Sequence, residues 1–303
     1  MTKTAGRSEM SENHLEKIQK VTICGVGLIG GSLGLALKKA GFSGEIVGHG
    51  RPATLEKAKR YGAIDAGFPT LAEAVADADV IYLATPILNI LELMGKLPLL
   101  IKEEALVTDA GSTKAVICEK GMELYPGRPW FVGGHPLAGK EITGVENADP
   151  DLFQDARYAL TPYSRHHLDP PVVRAFTGWL DRIGARVMIL DAELHDEIIT
   201  WTSHLPQIAS TALAVAVAEN VKVPEDLELS AGGLRDASRL AESPYRVWRD
   251  ICLTNTENLE RAITVLTQVL EHLRDQLRTR ELEVAFERAN ELRRRLKSPV
   301  PNE

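Results

Sequence analysis

The chain has 303 residues, of which 44% are hydrophobic and 25% charged, and its formal net charge is -7. That length suits two domains of about 150 residues each, and the composition excludes a disordered chain. The negative charge argues against a nucleic-acid binder.

Residues 1–20 are polar and lack the apolar stretch of an export signal, so they are expected to be a flexible N-terminal tail. No apolar run approaches the ~20 residues that span a bilayer. The longest weakly polar stretch, 209–218, reads as a buried helix. Cys24, Cys118 and Cys252 are scattered, which gives neither a disulfide framework nor a metal site. A cytoplasmic protein with no membrane partner is expected.

The elements then follow in order. Residues 21–24 form a β-like run, followed by a glycine turn and a helical stretch to Ala40. A short strand at 45–48 precedes helical segments at 55–61 and 71–78. Next come a strand at 80–84, a helix at 87–96, a strand at 105–108, a helix at 113–124 and a strand at 130–132. Residues 158–161, 172–183 and 186–190 read as a closing strand-helix-strand piece. This alternation predicts an α/β Rossmann domain over 21–190, doubly wound on a mostly parallel sheet. After Asp191 the strand signals stop. Residues 192–220 are helical, bent near Pro206, and 223–233 are a polar connection. From Pro244 to Lys297 apolar residues recur at helical spacing, among them Leu259, Ile263, Leu266, Val269, Leu270 and Leu273. Residues 191–303 are therefore expected to form an all-α domain. Its mixed-charge end reads either as a solvated face or as a dimer-forming bundle.

The first strand runs into Gly25-Val26-Gly27-Leu28-Ile29-Gly30. This is G-x-G-x-x-G between a strand and a helix. Gly25 permits the turn, Gly27 lets the backbone approach a pyrophosphate, and Gly30 lets helix and strand pack closely. The second strand ends in Gly48-His49-Gly50-Arg51, with no acid to hold the ribose hydroxyls of NAD. Arg51 either accepts the 2′-phosphate of NADP, which favours NADP over NAD, or simply caps its loop. The candidate cofactor residues are Gly25, Gly27, Leu28, Ile29, Gly30 and Arg51, with Thr85 and Pro86 after the 80–84 strand.

Two further segments carry chemistry. In Thr108-Asp109-Ala110-Gly111-Ser112-Thr113-Lys114 a strand ends and Ser112 falls near a helix start, either as an N-cap or as a reactive hydroxyl. In Gly133-Gly134-His135-Pro136-Leu137-Ala138-Gly139-Lys140-Glu141 a histidine sits at a strand end in a glycine-rich loop. The carboxyl edge of such a sheet binds ligands, which makes His135 a general-base candidate.

These pieces resemble the prephenate/arogenate dehydrogenase family, TyrA-type. The resemblance rests on G-V-G-L-I-G-G-S, T-D-A-G-S-T-K and G-G-H-P-L-A-G-K-E, then H-D-E-I-I-T-W-T-S-H-L-P at 195–206 and G-G-L-R-D-A-S-R-L-A at 232–241. It covers about residues 21–255. It implies oxidative decarboxylation of prephenate to 4-hydroxyphenylpyruvate, or of arogenate to tyrosine, within tyrosine biosynthesis. It also implies a homodimer formed through the helical domain, with tyrosine a candidate inhibitor. By the same resemblance His135 is the catalytic base, Ser112 its partner, and Arg239 the carboxylate clamp. Arg235 and Ser243 would share a face with Arg239 if that stretch is one helix. Ser203, Trp248 and Glu141 match pocket positions. The bland readings are surface salt bridges for the arginines and plain core for Trp248. Gln207 departs from the family, many of whose members have histidine there, so the choice between prephenate and arogenate stays open. His204 points away from Ser203 and reads as structural, and His195 reads as either a family match or a helix-face residue. Two rivals remain: a 3-hydroxyacid dehydrogenase or imine reductase, and a non-enzymatic nucleotide sensor. The H-P-L-A-G loop with Arg239 argues against the first, and a sensor needs none of Ser112, His135 and Arg239.

Overall fold

The computed structural model describes residues 15–140 and 142–297. Its strands are β1 (Lys20–Cys24), β2 (Glu45–His49), β3 (Ala66–Phe68), β4 (Val80–Leu83), β5 (Leu106–Asp109), β6 (Trp130–Pro136), β7 (Arg157–Thr161) and β8 (Arg186–Ile189). They form one sheet in the order β3-β2-β1-β4-β5-β6-β7-β8. Every neighbouring pair is parallel except β6 and β7, which run antiparallel. The helices of the sheet region are α1 (Leu28–Lys39), α2 (Pro52–Arg60), α3 (Leu71–Val75), α4 (Ile87–Lys96), α5 (Ala115–Leu124) and α6 (Pro171–Arg182). β1, β4 and β5 are almost wholly buried apolar runs, as strands covered on both faces must be.

The chain leaves β1 toward β2 and β3, then returns to place β4 on the other side of β1. That reversal opens a crevice at the carboxyl ends of β1 and β4, where open α/β sheets bind ligands. β6 is longer than the expected 130–132 strand. Its first residues pair with β5, Thr108 opposite Val132. Gly133–Pro136 then continue past the end of β5 and pair with β7, His135 opposite Ala159. His135 thus lies in a strand rather than a loop, and its backbone is fixed by a neighbouring strand.

Four expectations need correction. Residues 15–20 are not a loose tail: Ile18 is 2% exposed, and the Trp179 indole N–H donates to the Leu15 carbonyl at 3.2 Å. Residues 1–14 lie outside the described set. β3 was not expected, because a three-residue strand with two small side chains leaves no periodic signal. The expected helix at 71–78 ends at Val75, where Asp77 takes a positive φ of 56°. The 209–218 stretch is helical but not buried: Leu213 and Val215 are exposed in the single chain.

Beyond the sheet come α7 (Ala192–Ile199), a π-helical turn Thr200–His204, α8 (Leu205–Asn220), α9 (Gly232–Ser238), a 3-10 turn Arg239–Glu242 and α10 (Tyr245–Thr254). Internal contacts group all of these with the sheet in one compact unit ending at Thr256. A second unit begins at Glu257 and holds α11 (Thr256–Asp275) and α12 (Leu282–Lys297). Of the apolar series on α11, Leu259 is buried, whereas Ile263, Val269 and Leu270 are exposed, as are Phe286 and Leu296 on α12. The 190–191 change in sequence pattern marks where strands stop; contacts thin out only at 256–257.

Close packing of α1 on the sheet can be tested. A Cβ added to Gly34 would overlap the Ala63 carbonyl oxygen, a backbone atom that cannot swing aside. Gly34→Ala is expected to destabilise the sheet unit by about 1–3 kcal/mol, read as a lowered Tm; an unchanged melt would show that α1 can shift freely.

Candidate active site

The glycine turn after β1 builds an empty cradle. Gly25 has φ +96°, a conformation side chains disfavour, and a Cβ there would stand 2.7 Å from both the Ala84 carbonyl oxygen and Thr85 Cγ2. Gly27 is the N-cap of α1, with nothing within 4 Å of where its Cβ would be. The first N–H groups of α1, from Leu28 and Ile29 onward, therefore face open space beside a positive helix end. Gly30 has no such room: a Cβ would overlap the Gly25 carbonyl oxygen. Opposite, Thr85 follows β4, Pro86 caps α4, and the buried Thr85 hydroxyl has no partner among the described residues. An open helix end with an orphan hydroxyl fits a dinucleotide's pyrophosphate and ribose. Arg51 caps α2 through its backbone carbonyl, which accepts from the Thr54 and Leu55 amides at 2.9 and 3.0 Å, and its side chain is exposed. The cap uses the backbone alone.

At the end of β6, His135 Nδ1 lies 2.9 Å from His195 Nε2. His195 Nδ1 in turn lies 2.8 Å from Asp196 Oδ1. His195 and Asp196 are both buried at the start of α7. The Asp196 carboxylate also accepts the Lys114 and Ala115 backbone N–H groups at 2.7 and 2.9 Å. It thereby caps α5 from a distant part of the chain, where no local side chain does so. Ser112 is consequently not the N-cap. It sits in the bend between β5 and α5, held on both sides.

That bend has a second anchor. Asp109 and Lys114 form a fully buried ion pair. Asp109 accepts the Gly111 and Gly134 amides at 2.7 and 3.0 Å, and the Lys114 ammonium donates to the Gly134 carbonyl at 2.8 Å. Both carboxylate oxygens accept hydrogen bonds and the ammonium donates to two acceptors, the kind of compensation a buried pair requires. The segment carrying Ser112 and the backbone just before His135 are thus one bonded unit.

On the helical side, the π-turn precedes Pro206. The Leu205 N–H reaches back five residues to the Thr200 carbonyl, and such widened turns recur at functional sites. The turn leaves Ser203 exposed and buries His204, in agreement with their expected opposite directions. Asn255 Nδ2 donates to Thr200 Oγ1 at 2.7 Å and lies 3.2 Å from His204 Nδ1. His204 Nε2 is buried with no partner among the described residues. Trp248, partly buried, packs edge-on against the His204 ring and against the apolar cluster around β4 and α4.

Gln207 is buried, and its amide donates to the Leu240 carbonyl at 2.8 Å. It therefore anchors the Arg239–Glu242 turn rather than presenting a charge. Arg235 and Arg239 are exposed. The expectation that Arg235, Arg239 and Ser243 share one helix face fails: α9 ends at Ser238, the chain tightens into a 3-10 turn, and Ser243 is extended because Pro244 follows it. Glu141 lies outside the described residues. Asp250 on α10 accepts the Leu88 amide at 3.2 Å, so a carboxylate from the helical segment also touches the first turn of α4.

Burial, then His195, then Lys114 and His204 hold His135 well below the usual histidine pKa of 6.5, and it is neutral at neutral pH. Burial pushes His204 down to about 4, with Asp196 opposing. Sequence reasoning missed Asp109, Lys114, Asp196, Asp250 and Asn255 as site residues. Asp109, Lys114 and Asp196 fall inside the quoted motifs, where their chemistry was a signal, but nothing in the sequence says what they touch.

An open dinucleotide cradle at the switch point, with a neutral, half-buried histidine at the same sheet edge, marks the class of nucleotide-dependent dehydrogenases. The family model "Prephenate dehydrogenase, nucleotide-binding domain" matches residues 33–189, and "Prephenate dehydrogenase, dimerization domain" matches 191–298. The prephenate dehydrogenase of Lactococcus lactis is 38% identical over 248 residues, 80% of this chain and 67% of that protein. The chain spans about two thirds of the length of the curated relatives it matches. The solved prephenate dehydrogenase of Aquifex aeolicus, in complex with hydroxyphenyl propionate and NAD+, aligns with TM-score 0.83 at 32% identity, covering 92% of this chain and 99% of that one. The arogenate dehydrogenase of Synechocystis aligns with TM-score 0.75 at 30% identity, covering 91% and 99%. The chain belongs to the prephenate dehydrogenase family, and is by that membership an oxidoreductase.

The His204 shift has a sign that can be checked. The unfolded chain takes up this proton near pH 6.5 and the folded one only near 4, so stability falls as pH drops between those values. The loss amounts to about 3 kcal/mol by pH 4. His204→Gln is expected to flatten the Tm-against-pH curve in that window; parallel curves would mean His204 titrates normally.

Proposed function

We propose that this chain oxidatively decarboxylates prephenate to 4-hydroxyphenylpyruvate with NADP+, or less efficiently NAD+, as oxidant. Arogenate, giving tyrosine, is the alternative substrate. The observation that carries the reading is His135: half-buried, neutral, and held in β6 at the same carboxyl edge of the sheet as the dinucleotide cradle.

In this reading Gly25, Gly27, Gly30 and the first amides of α1 hold the pyrophosphate, and Thr85 and Pro86 flank the ribose of the nicotinamide half. When bound, the nicotinamide supplies the acceptor for the hydride on the hydroxyl-bearing ring carbon. His135 Nε2 takes the hydroxyl proton, so the oxygen's electrons can form the carbonyl as that hydride departs. Ser112 orients the hydroxyl. Arg239 clamps a substrate carboxylate with a two-pronged guanidinium, and Gln207 fixes the turn from which Arg239 extends. Arg235, Ser203, Ser243, Trp248 and Glu141 complete the pocket. Loss of the ring carboxylate as carbon dioxide pushes an electron pair through the ring onto the new carbonyl oxygen, which takes back the proton held on the histidine side and becomes the phenol of the aromatic product.

The preference for NADP+ follows from Arg51 and from the absence of an acid at the end of β2. The active protein is a homodimer, which would cover the apolar faces of α8, α11 and α12 left exposed in one chain. We assign the cofactor domain to residues 21–190 and the substrate and dimerisation domain to 191–303. Tyrosine, with the product's phenol and a carboxylate, fits the same pocket as an inhibitor.

The deciding assay follows absorbance at 340 nm with prephenate and arogenate, each with NAD+ and NADP+. Turnover is expected with prephenate and NADP+, and no reduction in any combination would remove the substrate assignment. His135→Asn is expected to lower kcat by about 10²–10⁴-fold while cofactor binding persists. Because its base is held below 6.5, wild-type kcat/KM should stay level down through pH 6.5 and fall only below it. An inflection at or above 6.5 would count against His135 as the base. Arg51→Asp should reverse the cofactor preference; an unchanged ratio would return Arg51 to its capping role alone.

A further inference from the structure

A proton taken up by His135 creates a charge in a buried place, and the structure holds a route for that charge. His135 presents Nδ1 to His195 Nε2 at 2.9 Å, and His195 presents Nδ1 to Asp196 Oδ1 at 2.8 Å. His195 and Asp196 are 0% and 1% exposed. Asp196 is an acceptor only, so the nitrogen of His195 facing it carries the proton. Two arrangements of the row remain. In one, both histidines are neutral: His195 Nε2 is bare, His135 Nδ1 donates to it, and His135 Nε2 carries the free lone pair a base needs. In the other, His195 is doubly protonated beside the Asp196 carboxylate, and His135 is neutral with its proton on Nε2. These two arrangements are related by one proton entering at His135 Nε2 and one shifting from His135 Nδ1 to His195 Nε2.

We propose that His195 and Asp196 form a relay behind His135, so that the proton taken from the substrate hydroxyl is stored as a charged His195 paired with Asp196. The inference rests on His135 being the base. The balance is complete: the substrate O–H bond breaks and an Nε2–H bond forms on His135. The His135 Nδ1–H bond then breaks and an Nε2–H bond forms on His195. The Asp196 carboxylate stays ionised throughout and neutralises the new cation. A carboxylate is a much weaker base than an imidazole, which is why the row ends at His195. The surroundings favour moving the charge away from His135. Burial, then His195, then Lys114 on the bend before α5 and His204 on the π-turn disfavour charge on His135. Lys114 is itself paired with Asp109. Asp196 gives the cation at His195 a direct carboxylate partner that His135 lacks. The carboxylate is held in place by the two α5 amides it caps. His195 and Asp196 are positioning and relay residues that need not touch substrate.

His195→Gln separates holding from relaying. A glutamine carbonyl oxygen can accept from His135 Nδ1 and keep its tautomer, but it cannot take a proton. Kinetics with prephenate and NADP+ are compared for wild type, His195→Gln and His135→Asn. The relay predicts that His195→Gln lowers kcat by about 10²-fold, with KM and cofactor Kd within about twofold of wild type. A kcat within about threefold of wild type overturns the relay. If His135→Asn itself turns over normally, the base reading fails, and the relay with it, by a different result. Nitrogen-15 histidine spectra of the unmutated protein give a second reading that needs no variant to fold. His135 protonated at Nδ1 and bare at Nε2 supports the relay, and the reverse tautomer overturns it.

Discussion

One carboxylate sets the geometry of the site. Asp196 accepts three N–H groups: two from the first turn of α5 and one from His195. Burying a carboxylate is costly unless its lone pairs are used, and here the positive end of a helix and a ring N–H use them. The consequence is geometric. The bend holding Ser112 precedes α5, and His195 backs His135, so Ser112 and His135 are referred to the same two oxygens. Removing the carboxylate would leave an uncapped helix end and a free imidazole at once.

The sheet supplies the other half of the arrangement. The reversal of strand order between β1 and β4 puts the glycine turn and the Thr85 segment side by side. The antiparallel pairing of β6 with β7 carries His135 beyond the end of β5. Between these, the buried Asp109–Lys114 pair ties the Ser112 bend to Gly134. The helical segment then grips the sheet helices by their amino ends, Asp196 on α5 and Asp250 on α4. The loops that would touch cofactor and substrate lead directly into those helices. The same contacts that join the helical segment to the sheet therefore also order the reactive loops.

Much of this was legible in the sequence. Alternation of apolar runs gave the parallel sheet, and the spacing of Gly25, Gly27 and Gly30 gave the cradle, because those steric demands are local. His135 was legible from its place after a strand. What was hidden depends on contacts distant in the chain. His195 read as either a family match or a helix-face residue because its meaning lies in a neighbour 60 positions away. Asp196 and Asp250 look like ordinary helix residues until the amides they cap are known. The common face assumed for Arg235, Arg239 and Ser243 failed because a 3-10 turn and Pro244 interrupt the helix. The exposure of α8 and α11 was hidden for the opposite reason: apolar periodicity says that a face will be covered, not whether its own chain covers it.

The central claim is that His135 meets the substrate's ring hydroxyl. A crystal structure of the protein with NADP+ and 4-hydroxyphenylpyruvate tests it directly. The account predicts the phenolic oxygen about 3 Å from both His135 Nε2 and Ser112 Oγ, with the Arg239 guanidinium N–H groups donating to the product carboxylate. A product bound with its phenol away from His135, or with His135 Nε2 engaged by protein alone, would contradict it.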